Sequence, residues 1–305
     1  MRNGKNVMNR IAGLLTVLLL CRCLAGQGWS APNIVFILAD DLGYGDVQSL
    51  NPERGRIPTP HIDQLAREGM SFTDAHSSSS VCTPTRYSIL TGRYNWRTRL
   101  QWNVLYGYSK PLIPRERLTV AGMLHAAGYA TACIGKWHLG MEIPEGEADP
   151  EIREGPVDRG FDYFFGISGS LDMPPFAYIE NRRYTEPLTT EKKWIRRGPA
   201  AAGFEAVEVL PTLVERAVTY IEGRRGQDQP FFLYLPLTSP HTPILPTAEW
   251  KGRSGLGKYG DFVMETDWAV GEVVAALARA GLAEDTLVIF TSDNGCSKSA
   301  RIGEL

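Results

Sequence analysis

Two apolar runs of the chain end on adjacent oxygen ligands, and other short loops supply a cysteine, an arginine, a lysine and two histidines. Asp40-Asp41 follow NIVFILA, and Asp293-Asn294 close DTLVIFTSDNG. These four side chains offer only oxygen donors of interest, the chemistry of a hard cation such as Ca²⁺ or Mg²⁺ and not of zinc or copper. Carboxylates brought together without a cation would repel one another and raise their own pKa values. Arg86, Lys136 and His138 in GKWHLG, and His241 in SPHTP supply positive charge and proton transfer. A divalent cation with Arg, Lys and His suits a tetrahedral oxyanion ester: charge is neutralised on the equatorial oxygens and the leaving group is protonated. The stretch SSSSVCTPTRYSILTGR sets a single cysteine, Cys82, just ahead of a helical pattern, which places its sulfur at a helix N-terminus.

The elements that must hold these groups follow from periodicity. NIVFILA is a continuous apolar, β-rich run of strand length, so it reads as a strand covered on both faces. DTLVIFTSDNG and PFFLYLPLTSPHTP read the same way, and each run hands polar residues to its C-terminal end. Between them HIDQLAREG, LTVAGMLHAAG, LPTLVERAVTYIEG and FVMETDWAVGEVVAALARAG carry helical patterns, several stopped by glycine. Strands alternating with helices predict an α/β fold with a mostly parallel central sheet flanked by helices, with ligands bound beyond the carboxyl ends of the strands. Residues 142–158 and 178–202, rich in Pro, Gly and charge, read as surface loops.

Composition limits the remaining readings. A chain of 305 residues with 43% hydrophobic and 10% aromatic residues can bury a sizeable core and is neither disordered nor collagen-like. Its 32 basic and 34 acidic residues are spread without long runs, which gives no electrostatic footprint for nucleic acid. Arg2, Lys5 and Arg10 precede the apolar IAGLLTVLLLC, so residues 1–26 are expected to be an export signal, too short for a stable membrane span, with an uncleaved anchor as the alternative. Cys82, Cys133 and Cys296 then remain, an odd and widely spaced set that is no disulfide framework. Cys133, inside YATACIG, reads as core.

Five motifs in order, PNIVFILADDLGYGD, CTPTRYSILTGRY, GYATACIGKWHLG, SPHTP and VIFTSDNG, make the chain resemble a type I, formylglycine-dependent sulfatase of the alkaline phosphatase superfamily, close in pattern to the arylsulfatase A group. The C-x-P-x-R motif followed by T-G-R is the most specific of them. The resemblance implies hydrolysis of sulfate esters, with Cys82 oxidised by a maturation enzyme to formylglycine, whose hydrate is the nucleophile. It implies Ca²⁺, with Mg²⁺ as an alternative, held by Asp40, Asp41, Asp293, Asn294 and the Cys82-derived group. Arg86 would orient the formylglycine, and Lys136 and His241 would bind sulfate. His138 would contact the formylglycine hydroxyl and help to break the sulfated intermediate. Ser170, in GISGSLD, would join the substrate site. A geminal diol can attack sulfur with one hydroxyl and expel sulfate by collapse of the other, so no water attack on sulfur is needed.

The partners so implied are a sulfated small molecule or carbohydrate and the formylglycine-generating enzyme. The expected location is exported: periplasmic, extracellular or lysosome-like. Family members continue beyond the SDNG strand through a glycine-rich loop with a further lysine and into a smaller C-terminal domain. Residues 32–305 are therefore expected to be the N-terminal catalytic domain, truncated at its C-terminal end, with Lys298 too close to Asn294 to take that lysine's role. Two alternatives stand beside the sulfatase reading: a phosphodiester or phosphonate ester hydrolase of the same superfamily, and an inactive truncated remnant.

Overall fold

The apolar runs become the inner strands of a seven-stranded sheet. The computed structural model describes residues 31–297, so the export-signal expectation for residues 1–26 and the position of Lys298 lie outside the described residues. In chain order the elements are β1 (Asn33–Ala39), α1 (Pro60–Glu68), α2 (Cys82–Thr91), α3 (Val120–Ala126), β2 (Ala130–Lys136) and β3 (Tyr163–Ile167). The short strands β4 (Ile179–Glu180) and β5 (Arg183–Tyr184) and a separate hairpin, β6 (Leu188–Lys193) with β7 (Arg197–Ala201), come next. The described elements close with α4 (Val209–Glu222), β8 (Phe231–Pro236), α5 (Gly257–Ala280) and β9 (Thr286–Ser292).

The sheet order is β5-β4-β3-β2-β8-β1-β9, and the five strands from β3 to β9 all run parallel. Parallel strands end on the same side, so the residues after β1, β2, β3, β8 and β9 gather along one rim. β8 is buried along its whole length and β1 nearly so, as expected for strands covered on both faces. Helix α4 turns Leu210, Leu213, Val214, Ala217 and Ile221 inward at three- and four-residue spacing, the amphipathic pattern of a helix on a core. Truncating one of these, Leu213 to alanine, costs about 2–5 kcal/mol by the transfer and cavity terms. Cys133 is fully buried, as the sequence implies.

The segment 178–202 departs from its expectation as loop. It pairs antiparallel with the edge of the main sheet through β4 and forms the β6–β7 hairpin. The charged, largely exposed β6 shows the reason: only β7 turns residues, Ala200 and Ala201, into the core, so the hairpin needs no apolar run. Helix α5 also starts at Gly257, earlier than its apolar pattern.

Candidate active site

Register fixes the centre of the site. Ala39 stands beside Ser292 across β1 and β9, which places Asp40 next to Asp293 one step beyond the sheet. The Asp293 amide donates to the Ala39 carbonyl at 3.1 Å, and the Asp40 amide to the Ser239 carbonyl at 2.9 Å. Asp41 bends away in the left-handed region at φ 61°, and its amide donates to Asp293 Oδ1 at 3.1 Å. His138 also has a positive φ, 56°. Non-glycine residues in this conformation carry strain, which clusters at functional sites.

Helix α2 brings the cysteine and the arginine. Cys82 is its first residue and Arg86 lies four residues on, one turn further along the same face. Pro84 is tolerated because the first turn needs no amide donor there. The buried Cys82 Sγ lies 4.0 Å from Asp41 Oδ1. Burial pushes its thiol well above the ordinary value, against the pull of Lys136. Arg86 is fully buried: Nε donates to Asp293 Oδ2 at 3.0 Å and Nη1 to the Lys136 carbonyl at 2.9 Å. Its Nη2 lies 2.9 Å from Asp293 Oδ2 and 3.3 Å from Asp40 Oδ1, close enough to attract but not aligned to hydrogen bond.

Lys136 ends β2, preceded by Gly135, where a Cβ would sit 1.9 Å from the Pro236 carbonyl oxygen. Only glycine allows that approach of β8. Lys136 Nζ donates to Asp40 Oδ2 at 2.6 Å and to Ser170 Oγ at 2.9 Å. Burial favours the neutral amine, but Asp40 overrides it and raises the lysine pKa. Burial likewise opposes charge on Asp40, and Lys136, His241 and Arg86 together hold its carboxyl well below the usual range. At Asp293 burial, reinforced by repulsion from Asp40, wins over Arg86 and carries the carboxyl up to about 7.

His138 is buried and sits 2.7 Å from the Leu105 carbonyl through Nε2. A carbonyl only accepts, so Nε2 carries the hydrogen and Nδ1 is a bare lone pair, buried and without a partner. Burial, with Lys136 and Arg86 adding to it, holds the ring well below its ordinary pKa and hence neutral. The half-buried His241 lies 3.7 Å from Asp41 Oδ2 through Nε2 and 3.3 Å from Ser170 Oγ through Nδ1. Ser170, not its neighbour Ser168, meets Lys136 and His241. The buried Ser168 hydroxyl has no partner.

The residues suit a hard cation. Ligand atoms of Asp40, Asp41, Cys82 and His241 lie within 4.8 Å of one another, the spacing of donors around one ion with bonds of about 2.4 Å. Asn294 Nδ2 is 2.6 Å from Asp41 Oδ1, so its amide borders the same point. Among the described residues Asp40 Oδ1 and Asn294 Oδ1 are buried without a hydrogen-bond partner. The carboxyl groups of Asp40, Asp41 and Asp293 gather beside Arg86 and Lys136, and a cation bound among them would favour the ionised form of Asp293 that burial and Asp40 oppose. Asp293 borders the cluster with Oδ2 turned to Arg86. All ten residues that the sequence singles out thus lie at this rim.

The sequence reading missed a supporting layer. Tyr259, on α5, is buried and donates to Asp46 Oδ2 at 2.6 Å, while the Gly43 amide donates to the same oxygen at 2.9 Å. This pair holds the turn that follows Asp41. The aspartate of DLGYGD was its visible signal. Thr83 Oγ1 donates to the His138 carbonyl at 3.0 Å and accepts the Leu105 amide at 3.2 Å, tying α2 to the histidine loop. Cys296 lies half-buried beside Tyr259.

Comparison with known proteins finds sulfatases. N-acetylgalactosamine-6-O-sulfatase of Bacteroides thetaiotaomicron is 32% identical over 340 residues, covering 95% of this chain and 65% of the relative. Human arylsulfatase A is 40% identical over 276 residues, covering 87% and 52%. A solved structure described with the metabolism of multiple glycosaminoglycans by B. thetaiotaomicron superposes with a TM-score of 0.79 at 33% identity, covering 88% and 63%. The chain thus spans between about half and two thirds of these relatives' length. The profile of the Sulfatase family matches residues 32–300, and the chain belongs to that family.

Proposed function

We propose that residues 32–305 are the catalytic part of a sulfatase that hydrolyses sulfate monoesters, with residue 82 as the position of the nucleophile. The observation that supports this best is the juxtaposition of Cys82 at the start of α2 with Asp40, Asp41 and Asn294, two of whose buried oxygens lack partners. Asp40, Asp41, Asp293 and Asn294 would hold Ca²⁺ or Mg²⁺, all through hard oxygens. A bound cation would supply charge neutralisation for the attacking oxygen and for the ester. Conversion of Cys82 to formylglycine by a maturation enzyme would replace a thiol with an aldehyde hydrate, an oxygen nucleophile.

Arg86 fixes the helix turn beneath residue 82 through Asp293 and the Lys136 carbonyl. Lys136 Nζ and the His241 ring converge on Ser170 Oγ, and a tetrahedral oxyanion could be held there with the lysine ammonium as its cationic donor. His138 presents Nδ1 as a bare acceptor, able to take a proton from a hydroxyl at residue 82. The relatives' names point to a sulfated carbohydrate or small aryl sulfate as substrate. Among the described residues no helix is long and apolar enough to cross a membrane. We read the protein as exported through its N-terminal segment.

The test is hydrolysis of an aryl sulfate beside the matching aryl phosphate, by protein made together with a formylglycine-generating enzyme. Preference for the sulfate is expected. Preference for the phosphate would assign the site to the phosphoester branch of the superfamily.

A further inference from the structure

A second basic pocket lies at the far end of α2. Cys82 and Thr91 are the two ends of this ten-residue helix, about 14 Å apart at the α-helical rise. Beyond the left-handed turn at Gly92, Arg93, Arg97 and Arg99 join Arg117 in lining a cavity of about 410 Å³ whose walls include Tyr87 and Leu112. No carboxylate among the described residues lines it. Among the described residues none of these four arginines is in an ion pair, whereas the nearby Arg115 and Arg159 share Glu154. Arg99 is held to the wall by its bonds to the Lys110 and Pro111 carbonyls, the latter at 3.0 Å. Arg117 Nε is buried with no partner.

Four like charges gathered without a counter-charge repel one another, and a buried N–H without an acceptor costs free energy. One multiply charged oxyanion would relieve both, because guanidinium forks match its oxygens two at a time. We propose that this pocket is an anion site, separate from the candidate active site, that binds a sulfate or phosphate group. Tyr94 and Trp96, which flank Arg93 and Arg97 in sequence, stack with ring centroids 4.0 Å apart and stay about half exposed. Such faces pack against sugar rings, so a group carried on a glycan suits the surface better than a free ion. The inference rests on the unpaired arginines and does not depend on ester hydrolysis.

The test is equilibrium binding of inorganic sulfate, inorganic phosphate and a sulfated disaccharide to the full chain, at ionic strength held constant with chloride. Cys82→Ala protein should retain this binding event. Removing Arg93 and Arg97 together as glutamines should weaken it by about tenfold per guanidinium, without changing circular dichroism or the melting temperature in chloride. If that variant folds poorly, Arg97→Lys gives the reading: the charge stays, the fork is lost, and affinity should still fall. Tighter binding of the disaccharide than of inorganic sulfate supports a glycan-borne group; equal affinity supports the site with a free anion as its occupant. Unchanged affinity in the arginine variants, or sulfate that binds no better than chloride, overturns the proposal.

Discussion

The Lys136 ammonium lies 2.6 Å from the Asp40 carboxylate, and both side chains are wholly buried. Removing one member of such a pair leaves an uncompensated charge in the interior, typically at a cost of about 3–5 kcal/mol. Lys136→Met should therefore lower the melting temperature sharply as well as abolish turnover. Asp40→Asn in the same chain should recover part of the stability but none of the activity. Chemical denaturation of the two single variants and the double variant measures the coupling. Additive losses would mean that the pair is not a unit.

Asp41→Ala should remove divalent-ion binding, because its carboxylate adjoins Cys82, Asn294 and His241 around one point. Calorimetry with Ca²⁺ should show heat for the parent and none for the variant. Excess Ca²⁺ should raise the parent's melting temperature alone, since a ligand that binds only the folded state stabilises it by mass action. Equal uptake by the two proteins would contradict the ligand set.

Tyr259→Phe should loosen the same turn from below. It leaves Asp46, which is buried, with only the Gly43 amide on its Oδ2. Loss of one partner of a buried carboxyl costs about 1–3 kcal/mol. Calcium affinity should fall as well, because the Tyr259 hydroxyl also lies 3.4 Å from the Asp41 carbonyl. A stability loss with unchanged calcium affinity would confine Tyr259 to packing.

Glu265 gives a pH dependence away from the site. It is buried on α5, takes the Thr247 amide at 3.0 Å, and is pushed by burial, with Glu208 and Glu249 adding repulsion, up to about 7. The folded state holds this proton more tightly than the unfolded chain, whose glutamate titrates near its ordinary value of about 4.3. The group's contribution is therefore fully present below that value and is lost as pH rises toward 7, a change of about 4 kcal/mol. Glu265→Gln should flatten this part of the stability profile and gain on the parent between pH 5 and pH 7, on the order of that figure. Parallel profiles for the two proteins would show that Glu265 titrates normally.

The strand ends were legible because a buried parallel strand is largely apolar, so the acidic or amide pair that follows NIVFILA or LVIFTS marks the rim. That one rule located Asp40, Asp41, Asp293 and Asn294, and the alternation of strands and helices gave the sheet that aligns them. Roles for Cys82, Arg86 and Ser170 came from motif resemblance, since nothing in a lone serine's surroundings in sequence says that Lys136 will reach it. The β4–β7 segment stayed hidden because exposed edge strands and hairpins carry turn-like composition. Tyr259 and the Leu105 carbonyl were not legible either. Each acts across a long loop in sequence, 213 residues in the case of Tyr259 and Asp46, and backbone acceptors have no sequence signature.

The central claim is that an oxidised residue 82 beside the Asp40–Asp41 ligands cleaves sulfate esters. The most direct measurement pairs the mass of the Cys82-containing peptide with sulfate release from an aryl sulfate by the same Ca²⁺-loaded preparation. Turnover is expected to scale with the fraction of chains that carry the aldehyde, and to vanish in Cys82→Ala protein that melts within about 1 kcal/mol of the parent's stability. Equal sulfate release by chains whose Cys82 is still a thiol, or by the Cys82→Ala protein, would contradict the account.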